Sequence, residues 1–251
     1  MKSRPARFVV AVGSGKGGVG KSTVTVQTAF ALRRRGLEVG IVDADLYGPD
    51  VPLMLNLTRT HEAKSWDFWR RGDVRLEPVE HDGLQVMSVG FLLGERQALT
   101  MAAPLLGAAL RQLVEQVEWR GLDILLIDLP PGTADLQQQL LDVIPLDGAV
   151  VVVGPQEVAH LDARKFVDFL RAGGVRLLGG VQNMDGLVCP HCGERLDVFG
   201  RASAERSIWS DDVPLLGRIP LDPQLGANPA GSAQQDVLDA LAGRLLDAVA
   251  A

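Results

Sequence analysis

The sequence is poor in cysteine and in aromatic residues. It has two cysteines and a single tyrosine among 251 residues, and aromatic residues make up 5% of the chain. Both cysteines stand in one motif, CPHC, so they do not form the disulfide framework of a small secreted domain. Because aromatic side chains are so few, aliphatic Leu, Val, Ala and Ile must fill most of the core, and a hydrophobic content of 47% is sufficient for this.

Long apolar runs and clusters of positive charge are also missing. No apolar run is long enough to cross a bilayer, and the apolar stretch near the start is too brief for a signal peptide. The formal net charge is −6 and the sequence pI is about 5.2. The short Arg33–Arg35 triplet is interpreted as a solvated helix end, not as part of a basic stripe. We therefore expect a cytoplasmic protein that binds neither nucleic acid nor membranes.

The sequence does contain an alternation of apolar strands and helical patterns. Most strand candidates are continuous β-branched or Leu runs, which are typical of strands buried on both faces of a parallel sheet. The pattern predicts a doubly wound α/β fold with a mostly parallel sheet and helices on both faces, as a single domain over residues 1–251. The predicted strands are Phe8–Val12, Val39–Val42, Leu84–Val89, Ile124–Ile127, Ala149–Val153, Arg176–Val181 and Leu215–Ile219. The predicted helices are Lys21–Arg35, Ala102–Val117, Leu136–Val143, Val158–Leu170 and Ala233–Val249.

The segment Gly15–Ser22 fits the phosphate-loop pattern G-x-x-x-x-G-K-[ST], with a predicted strand before it and a predicted helix after it. The glycines let backbone N–H groups surround phosphate oxygens, and the following helix presents its positive end. Lys21 is predicted to bind the outer phosphates and the Ser22 hydroxyl to ligate Mg²⁺. The predicted ATP contacts in this loop are Gly15, Lys16, Gly17, Gly18, Val19, Gly20, Lys21, Ser22 and Thr23.

A second lysine, Lys16, occupies a position that the ordinary pattern leaves free. A cation at the leading edge of the loop is able to reach the phosphates of a nucleotide bound to a facing subunit; the alternative is a lysine that faces solvent. The KGGVGK pattern resembles the deviant Walker A loop of the MinD, ParA, nitrogenase iron protein and Mrp class of ATPases. This resemblance implies that Lys16 acts catalytically across a nucleotide-sandwich dimer.

Carboxylates follow two of the predicted strands. Asp43 and Asp45 come just past the second strand, and Asp128 comes just past the fourth. Phosphoryl transfer needs a residue that orients the attacking water, for which Asp43 is the candidate, and carboxylates near Mg²⁺, for which Asp45 and Asp128 are the candidates. The alternative for such aspartates is to cap a turn, above all for Asp50.

The CPHC motif makes residues 183–200 a candidate metal-binding segment. Cys189 and Cys192 are separated by two residues, a spacing that lets both thiolates face one metal ion or cluster. Because such centres usually take four ligands and the chain has no other cysteine, a second copy of the chain is the simplest completion. A zinc knuckle that uses His191 and a thioredoxin-type redox pair are the alternatives. Asn183, at a strand end, is a candidate for contacting adenine through its amide, or else a turn residue.

Taken in order, the segments SGKGGVGKST, DADLYGPDVP, VMSVGFLL, DLPPGTAD, QNMDGLVCPHCGE and LLGRIPLDP resemble the Mrp (ApbC-like) family of P-loop ATPases, which are iron–sulfur cluster carriers. The resemblance implies a homodimer that holds a [4Fe–4S] cluster between paired cysteines. It also implies slow ATP hydrolysis coupled to cluster transfer to apo-proteins, and adenine contacts from Asn183, Ile219 and Pro220.

Two segments depart from the family pattern. Residues Thr100 to Pro104 read TMAAP, where the family usually shows a WRGP-like segment. The stretch from Arg59 to His81 is irregular, with charges mixed among Trp66, Phe68 and Trp69. A mobile loop, a partner surface and a small hairpin all remain open for that stretch.

Two other classes of function are compatible with a phosphate loop. A spatial regulator of the MinD or ParA kind needs a basic amphipathic tail or a DNA-binding surface, whereas the C-terminal segment here is acidic and has leucines at the spacing of a packed helix. A zinc or redox adaptor that uses ATP only as a conformational switch is the third possibility.

Overall fold

The structure is a computed structural model that describes residues 4–45, 48–57, 76–91, 113–131, 144–189, 191–222, 225 and 234–251. Within these residues lie ten strands and four complete α-helices. The strands are β1 (Ala6–Gly13), β2 (Val39–Asp43), β3 (Val79–His81), β4 (Leu84–Ser88), β5 (Leu122–Asp128), β6 (Gly148–Val153), β7 (Leu177–Gln182), β8 (Leu187–Val188), β9 (Arg195–Leu196) and β10 (Leu215–Arg218). The helices are α1 (Lys21–Arg34), α2 (Val51–Met54), α3 (Glu157–Ala172) and α4 (Gln235–Ala250).

Eight strands form one sheet in the order β10-β7-β6-β1-β5-β2-β4-β3. All neighbouring pairs are parallel except β3 with β4. The central strands are buried almost throughout, as β5 and β6 show. Continuous apolar strands of this kind are stable only where both faces of the sheet are covered.

Helices cover both faces of the sheet. A Cβ on Gly217 of β10 would meet Leu241 of α4, whereas a Cβ on Gly180 of β7 would meet Trp209. Gly217 pairs with Val181, the neighbour of Gly180, so the two glycines face opposite sides of the sheet. Helix α1 packs against α4, and the 3-10 turn that contains Trp209 packs against α3. The predicted doubly wound, mostly parallel fold is therefore confirmed.

The seven predicted strands are all present, with bounds shifted by at most a few residues. The predicted helices at Lys21–Arg35, Val158–Leu170 and Ala233–Val249 correspond to α1, α3 and α4. The helix predicted at Leu136–Val143 lies outside the described residues, as does most of Ala102–Val117. The extension over 1–251 as a single domain stays a prediction.

The irregular stretch from Arg59 to His81 is described only from Leu76 onward. There, Val79–His81 forms β3, which pairs antiparallel with β4 through a turn at Asp82 and Gly83. Both turn residues have positive φ, 48° and 78°, as a tight two-residue hairpin requires. The end of this stretch is therefore a hairpin, while residues 59–75 and the TMAAP segment lie outside the described residues.

Among the helices of the described residues, no helix has the length and apolar content needed to span a membrane.

Candidate functional site

The carboxyl ends of β1, β5, β2 and β4 bring polar side chains to one edge of the sheet. Val12 of β1 is in register with Asp128 of β5, Asp128 with Asp43 of β2, and Asp43 with Ser88 of β4. Ligands of doubly wound folds bind beyond this edge. The predicted carboxylates therefore lie side by side, next to the loop that leaves β1.

The loop from Ser14 to Gly20 connects β1 to α1 and depends on its glycines. A Cβ on Gly15 would lie 2.2 Å from backbone atoms of Asp162 in α3, which cannot move aside without shifting the helix. Gly20 has φ of 78°, and a Cβ there would lie 2.3 Å from Asn183 Nδ2. Only glycine permits both the left-handed turn and these close approaches.

At the start of α1, the side chains of Lys21 and Ser22 both contact the carboxylate of Asp128. Lys21 Nζ lies 2.7 Å from Asp128 Oδ2, and both side chains are buried. The Ser22 hydroxyl donates to the same Oδ2 at 2.6 Å and accepts from Lys21 Nζ at 3.2 Å. Thr25, one helical turn further on, donates to Asp128 Oδ1 at 2.8 Å. Asp128 is thus fixed through both oxygens, and the Ser22 and Asp128 oxygens form the hard donor set that Mg²⁺ prefers.

Asp43 is completely buried beside this group. Its Oδ2 accepts hydrogen bonds from Ser88 Oγ at 3.0 Å and from the Val51 backbone N–H at 3.3 Å. Burial raises the pKa of Asp43 well above its usual value, and the neighbouring charge of Asp128 raises this pKa further, while Lys21 opposes both. Asp43 therefore holds its proton more tightly than an exposed carboxyl, which suits a group that takes a proton from water.

A cavity of about 400 Å³ opens in front of the loop. Of the predicted site residues, it brings together Lys16, Gly17, Gly18, Gly20, Lys21, Ser22, Thr23 and Asp45. Its other described lining residues are Ser14, Asp50, Leu53, Met54, Pro131 and Met184. Gly15, Val19, Asp43, Asp128, Asn183, Ile219, Pro220 and the two cysteines are not part of this lining.

Lys16 lines this cavity together with Lys21. Its backbone carbonyl accepts a hydrogen bond from Ser14 Oγ at 2.9 Å, which fixes the leading edge of the loop. Within the described part of the chain, no carboxylate pairs with the Lys16 ammonium, in contrast to the buried Lys21. The charge of Lys16 is thus free to meet an anion in or beyond the cavity.

Asp45 and Asp50 also line this cavity and belong to the segment that follows β2. Asp45 donates its backbone N–H to Asp43 Oδ1 at 3.2 Å, and its own Oδ1 accepts from Gly48 N–H at 3.2 Å. Asp50 precedes α2 without a side-chain capping hydrogen bond. The turn-capping alternative thus fits the Asp45 side chain, while its role near Mg²⁺ stays a prediction.

Asn183 contacts the phosphate loop directly. Its Nδ2 donates to the Val19 carbonyl at 2.9 Å, and the residue is buried. Ile219, also buried, lies nearby because its carbonyl accepts from Asp185 N–H at 2.9 Å. The predicted adenine contacts of Asn183, Ile219 and Pro220 stay predictions.

The two cysteines lie at the tip of the β8–β9 hairpin. Cys189 is half-buried and Cys192 is exposed. Cys189 N–H donates to Glu194 O, and Gly193 N–H donates back to Cys189 O, each at 2.9 Å. Backbone N–H groups of Cys192 and His191, followed by the Cys192 side chain, lower the pKa of the Cys189 thiol. This turn geometry favours the thiolate, which is the metal-binding form.

Among the residues that the structure describes, no three His, Cys, Asp or Glu side chains come together as a metal site. Within that part of the chain, His191 is thus not gathered with the two cysteines into a three-ligand group. The zinc-knuckle alternative and the four-thiolate set both stay predictions.

The sequence patterns did not reveal several residues that complete these sites. Thr25 and Ser88 each donate to a predicted carboxylate. For Thr25, the spacing of four residues from Lys21 on a helix was an available signal. Met184, Asp185 and Arg195 had no comparable signal, because their contacts join segments that are distant in sequence.

The comparisons with known protein families match most of the chain. The family model described as ParA, NUBPL iron-transfer P-loop NTPase, matches residues 6–241. An iron-sulfur cluster carrier protein from Synechocystis is 43% identical over 215 residues, which are 85% of this chain and 60% of that protein. The cytosolic Fe-S cluster assembly factor CFD1 from Eremothecium gossypii is 43% identical over 225 residues, 88% of this chain and 79% of that protein. The chain thus spans less than two thirds of the Synechocystis relative.

Solved structures agree with this result. A nucleotide-binding protein from Archaeoglobus fulgidus, in complex with ADP, has a TM-score of 0.74 and 35% identity, covering 94% of this chain and 89% of that chain. The cell division ATPase MinD from Pyrococcus furiosus has a TM-score of 0.70 at 23% identity, covering 96% and 98% of the two chains. The second likeness shows a shared fold alone.

Proposed function

This chain belongs to the NUBPL iron-transfer P-loop NTPase family, and from that premise we propose that it is an ATP-dependent iron–sulfur cluster carrier. In this proposal, two copies hold a bridging [4Fe–4S] cluster as cargo and transfer it to apo-proteins. The observation that carries the proposal is that one fold presents both a built phosphate loop and a hairpin with two thiols. The names of the relatives, a cluster carrier and a cytosolic cluster assembly factor, support it and favour a cytoplasmic location.

The nucleotide half of the proposal rests on the Lys21–Ser22–Asp128 group. Lys21 and the loop N–H groups bind the ATP phosphates, and Ser22 with Asp128 holds Mg²⁺, with Asp45 in support. Mg²⁺ supplies charge neutralisation at the phosphates. Asp43, whose pKa is raised by burial, positions the attacking water and accepts its proton. Hydrolysis acts as a slow switch that is coupled to cluster transfer.

The pairing of two chains is supported at both sites. Lys16 has a charge that no described carboxylate neutralises, so it is available to the nucleotide of a facing subunit. At the hairpin, two thiolates are half of the four that a cluster takes. The hairpin and the residues directly after it also present exposed apolar side chains, namely Val188, Leu196, Val198 and Phe199, of which Val188 is 51% exposed. Apolar groups clustered on a surface mark contact sites, and here a second copy brings the missing thiolates.

Metal content after anaerobic reconstitution tests the proposal. With iron and sulfide supplied, the wild-type chain is expected to become brown and to carry about four iron atoms per pair of chains. Cys189→Ser and Cys192→Ser should each lose nearly all of this iron, because one thiolate per chain leaves the four-ligand set incomplete. His191→Ala, a change between the cysteines that removes no proposed ligand, should retain the wild-type iron content.

A featureless absorbance spectrum together with stoichiometric zinc would remove the cluster proposal and favour the zinc adaptor. Full iron content in either Cys→Ser variant would remove the assignment of that thiol.

A further inference from the structure

Asp185 is a buried carboxylate that takes no part in the nucleotide chemistry described above. Its side chain is 2% exposed, although aspartates are rarely buried unless they are paired. Its Oδ1 accepts from Gln182 Nε2 at 2.7 Å, and its Oδ2 accepts from Arg195 Nη2 at 2.5 Å. The same nitrogen of Arg195 also donates to the Asp185 carbonyl at 2.7 Å. Asp185 thus holds Arg195 at two points, and a second arginine, Arg201, has its Nη2 3.8 Å from Asp185 Oδ1.

Arg195 belongs to the cysteine hairpin. It is the first residue of β9, and the preceding residue, Glu194, accepts the backbone hydrogen bond of Cys189. The two paired strands of this hairpin have only two residues each, and a two-stranded ribbon of that size is not stable by itself. The Asp185–Arg195 pair therefore fixes β9, the strand that follows the cysteine loop, to the segment after β7.

The two residues before Asp185 contact the nucleotide site. Asn183 Nδ2 donates to the Val19 carbonyl at 2.9 Å, and Met184 lines the cavity in front of the loop. Met184 has φ of 57°, a left-handed conformation that is costly for a residue with a side chain. Such a conformation persists only where contacts on both sides hold it.

We propose that Asp185 is a positioning residue that couples the phosphate loop to the cysteine pair. The segment Asn183–Asp185 contacts the loop at one end and the hairpin at the other, so a shift of the loop on nucleotide binding changes how Cys189 and Cys192 are presented. This inference rests on the proposed function for its purpose. Nucleotide binding and thiol presentation are linked through the ion pair between the buried Asp185 and the half-exposed Arg195, and linkage of this kind is reciprocal.

Thiol reactivity tests the coupling without iron. The chain has only two cysteines, so alkylation by iodoacetamide reports on the hairpin alone. Adding saturating ATP with Mg²⁺ to the wild-type chain should change the alkylation rate by about fivefold or more, the lower end of typical coupling between sites. In Asp185→Asn and in Arg195→Gln, this change should shrink to within about twofold, while the affinity for ATP stays near that of the wild type.

Two further variants sharpen the result. Arg206→Gln breaks the exposed Arg206–Glu157 pair, which does not include Asp185, and should keep the nucleotide response. Arg195→Lys keeps a positive charge and should retain part of the nucleotide response that Arg195→Gln loses. Asp185→Asn alters a buried group and is the variant at risk of not folding. In that case Arg195→Gln tests the coupling, because the Arg195 side chain is 49% exposed and its replacement is tolerated more easily.

The coupling is overturned if ATP leaves the wild-type alkylation rate unchanged, or if Arg195→Gln keeps the full response. A loss of ATP binding in a folded Asp185→Asn chain would assign Asp185 to the nucleotide site and overturn it as well. None of these outcomes depends on iron content, so they are distinguishable from a failure of the cluster proposal.

Discussion

At the level of single residues, burial of charged side chains decides the protonation behaviour of the candidate nucleotide site. Asp43 and Asp128 are adjacent across β2 and β5, both are completely buried, and one buried ammonium, Lys21, lies between the strand ends. Burial is the main cause that raises the pKa of Asp43, and the neighbouring charge of Asp128, which Lys21 only partly offsets, raises this pKa further. The two aspartates have different partners: Asp128 is held by Lys21, Ser22 and Thr25, whereas Asp43 is held by Ser88 and backbone N–H groups, and its role as proton acceptor stays a proposal.

His160 of α3 is a buried histidine outside that site. Its Nδ1 accepts from the Ile208 backbone N–H at 3.3 Å, and its ring meets Trp209 edge to face with centroids 5.9 Å apart. Burial, then the charges of Arg164 and Arg218, lowers the pKa of His160 from 6.5 to about 4. The folded state therefore keeps this ring neutral down to a pH at which the unfolded chain has already bound a proton.

Acid should destabilise the fold through His160. Between pH 6.5 and pH 4 the unfolded state binds more protons at this residue, so the free energy of unfolding falls as the pH is lowered through that window. The contribution is about 2 kcal/mol between pH 8 and pH 5, and it levels off below pH 4. His160→Asn keeps an acceptor for Ile208 N–H and removes the titration, so urea unfolding of this variant should show a shallower pH dependence. Parallel pH profiles of the two chains would contradict the assignment.

At the scale of elements, the phosphate loop is held in place by its packing against α3. The loop contacts the helix backbone at Gly15. A Cβ on this residue would lie 2.2 Å from the backbone C and O atoms of Asp162 and 2.5 Å from the backbone nitrogen of Ala163. At Gly17 the nearest atom to a Cβ is 3.9 Å away, in Pro131, which is ordinary contact. The loop thus has no room for a side chain at Gly15 but has room for one at Gly17.

This difference predicts that the same substitution has a large effect at Gly15 and a small effect at Gly17. Gly15→Ala should destabilise the chain by about 1–3 kcal/mol, since a helix backbone must shift to admit the methyl group. Gly17→Ala should change stability by no more than about 0.5 kcal/mol. Urea unfolding of both variants checks this, and equal stabilities would show that the loop does not pack on α3 as described.

Also at the scale of elements, the long strands were predictable and the short ones were not. Runs such as Ile124–Ile127 are recognisable in the sequence because a strand buried on both faces must be apolar at every position. The strands β8 and β9 have two residues each and are largely exposed, so they are too short to show an alternation of apolar and polar residues. Their pairing is specified instead by the turn at the cysteines and by the Asp185–Arg195 contact.

At the scale of the whole molecule, the proposed dimer requires that a cation of one chain reaches the nucleotide of the other. Lys16 lines the cavity at the leading edge of the loop, and the chain as a whole is acidic, with a formal net charge of −6. Two acidic chains repel each other at long range. In the proposed dimer, the Lys16 ammonium, which pairs with no carboxylate among the described residues, would offset this repulsion at the partner's phosphates, so pairing should depend on nucleotide.

Lys16→Ala should therefore separate binding from turnover. In the wild type, ATP turnover per chain should rise with protein concentration as dimers form. In Lys16→Ala it should fall by at least about 100-fold and lose that dependence, because the charge that stabilises the transition state comes from the partner. Lys165→Ala removes an exposed lysine of α3, 80% accessible, and should behave as the wild type. Unchanged turnover with unchanged concentration dependence in Lys16→Ala would exclude the cross-subunit role.

Those features of the protein that depend on local physics can be predicted from the sequence alone. The phosphate loop needs glycines, a lysine and a hydroxyl at fixed spacing, and the cysteine pair needs a two-residue gap, so both stand in the chain as motifs. The sheet was predictable because burial on both faces dictates composition. Three contacts follow from the tertiary structure and not from any motif. Asn183 donates to Val19, 164 residues away. Ser88 and Thr25 donate to Asp43 and Asp128, and Asp185 accepts from Arg195 of the cysteine hairpin. These contacts depend on strand register and on crossover connections, which bring together residues that share no spacing in the chain.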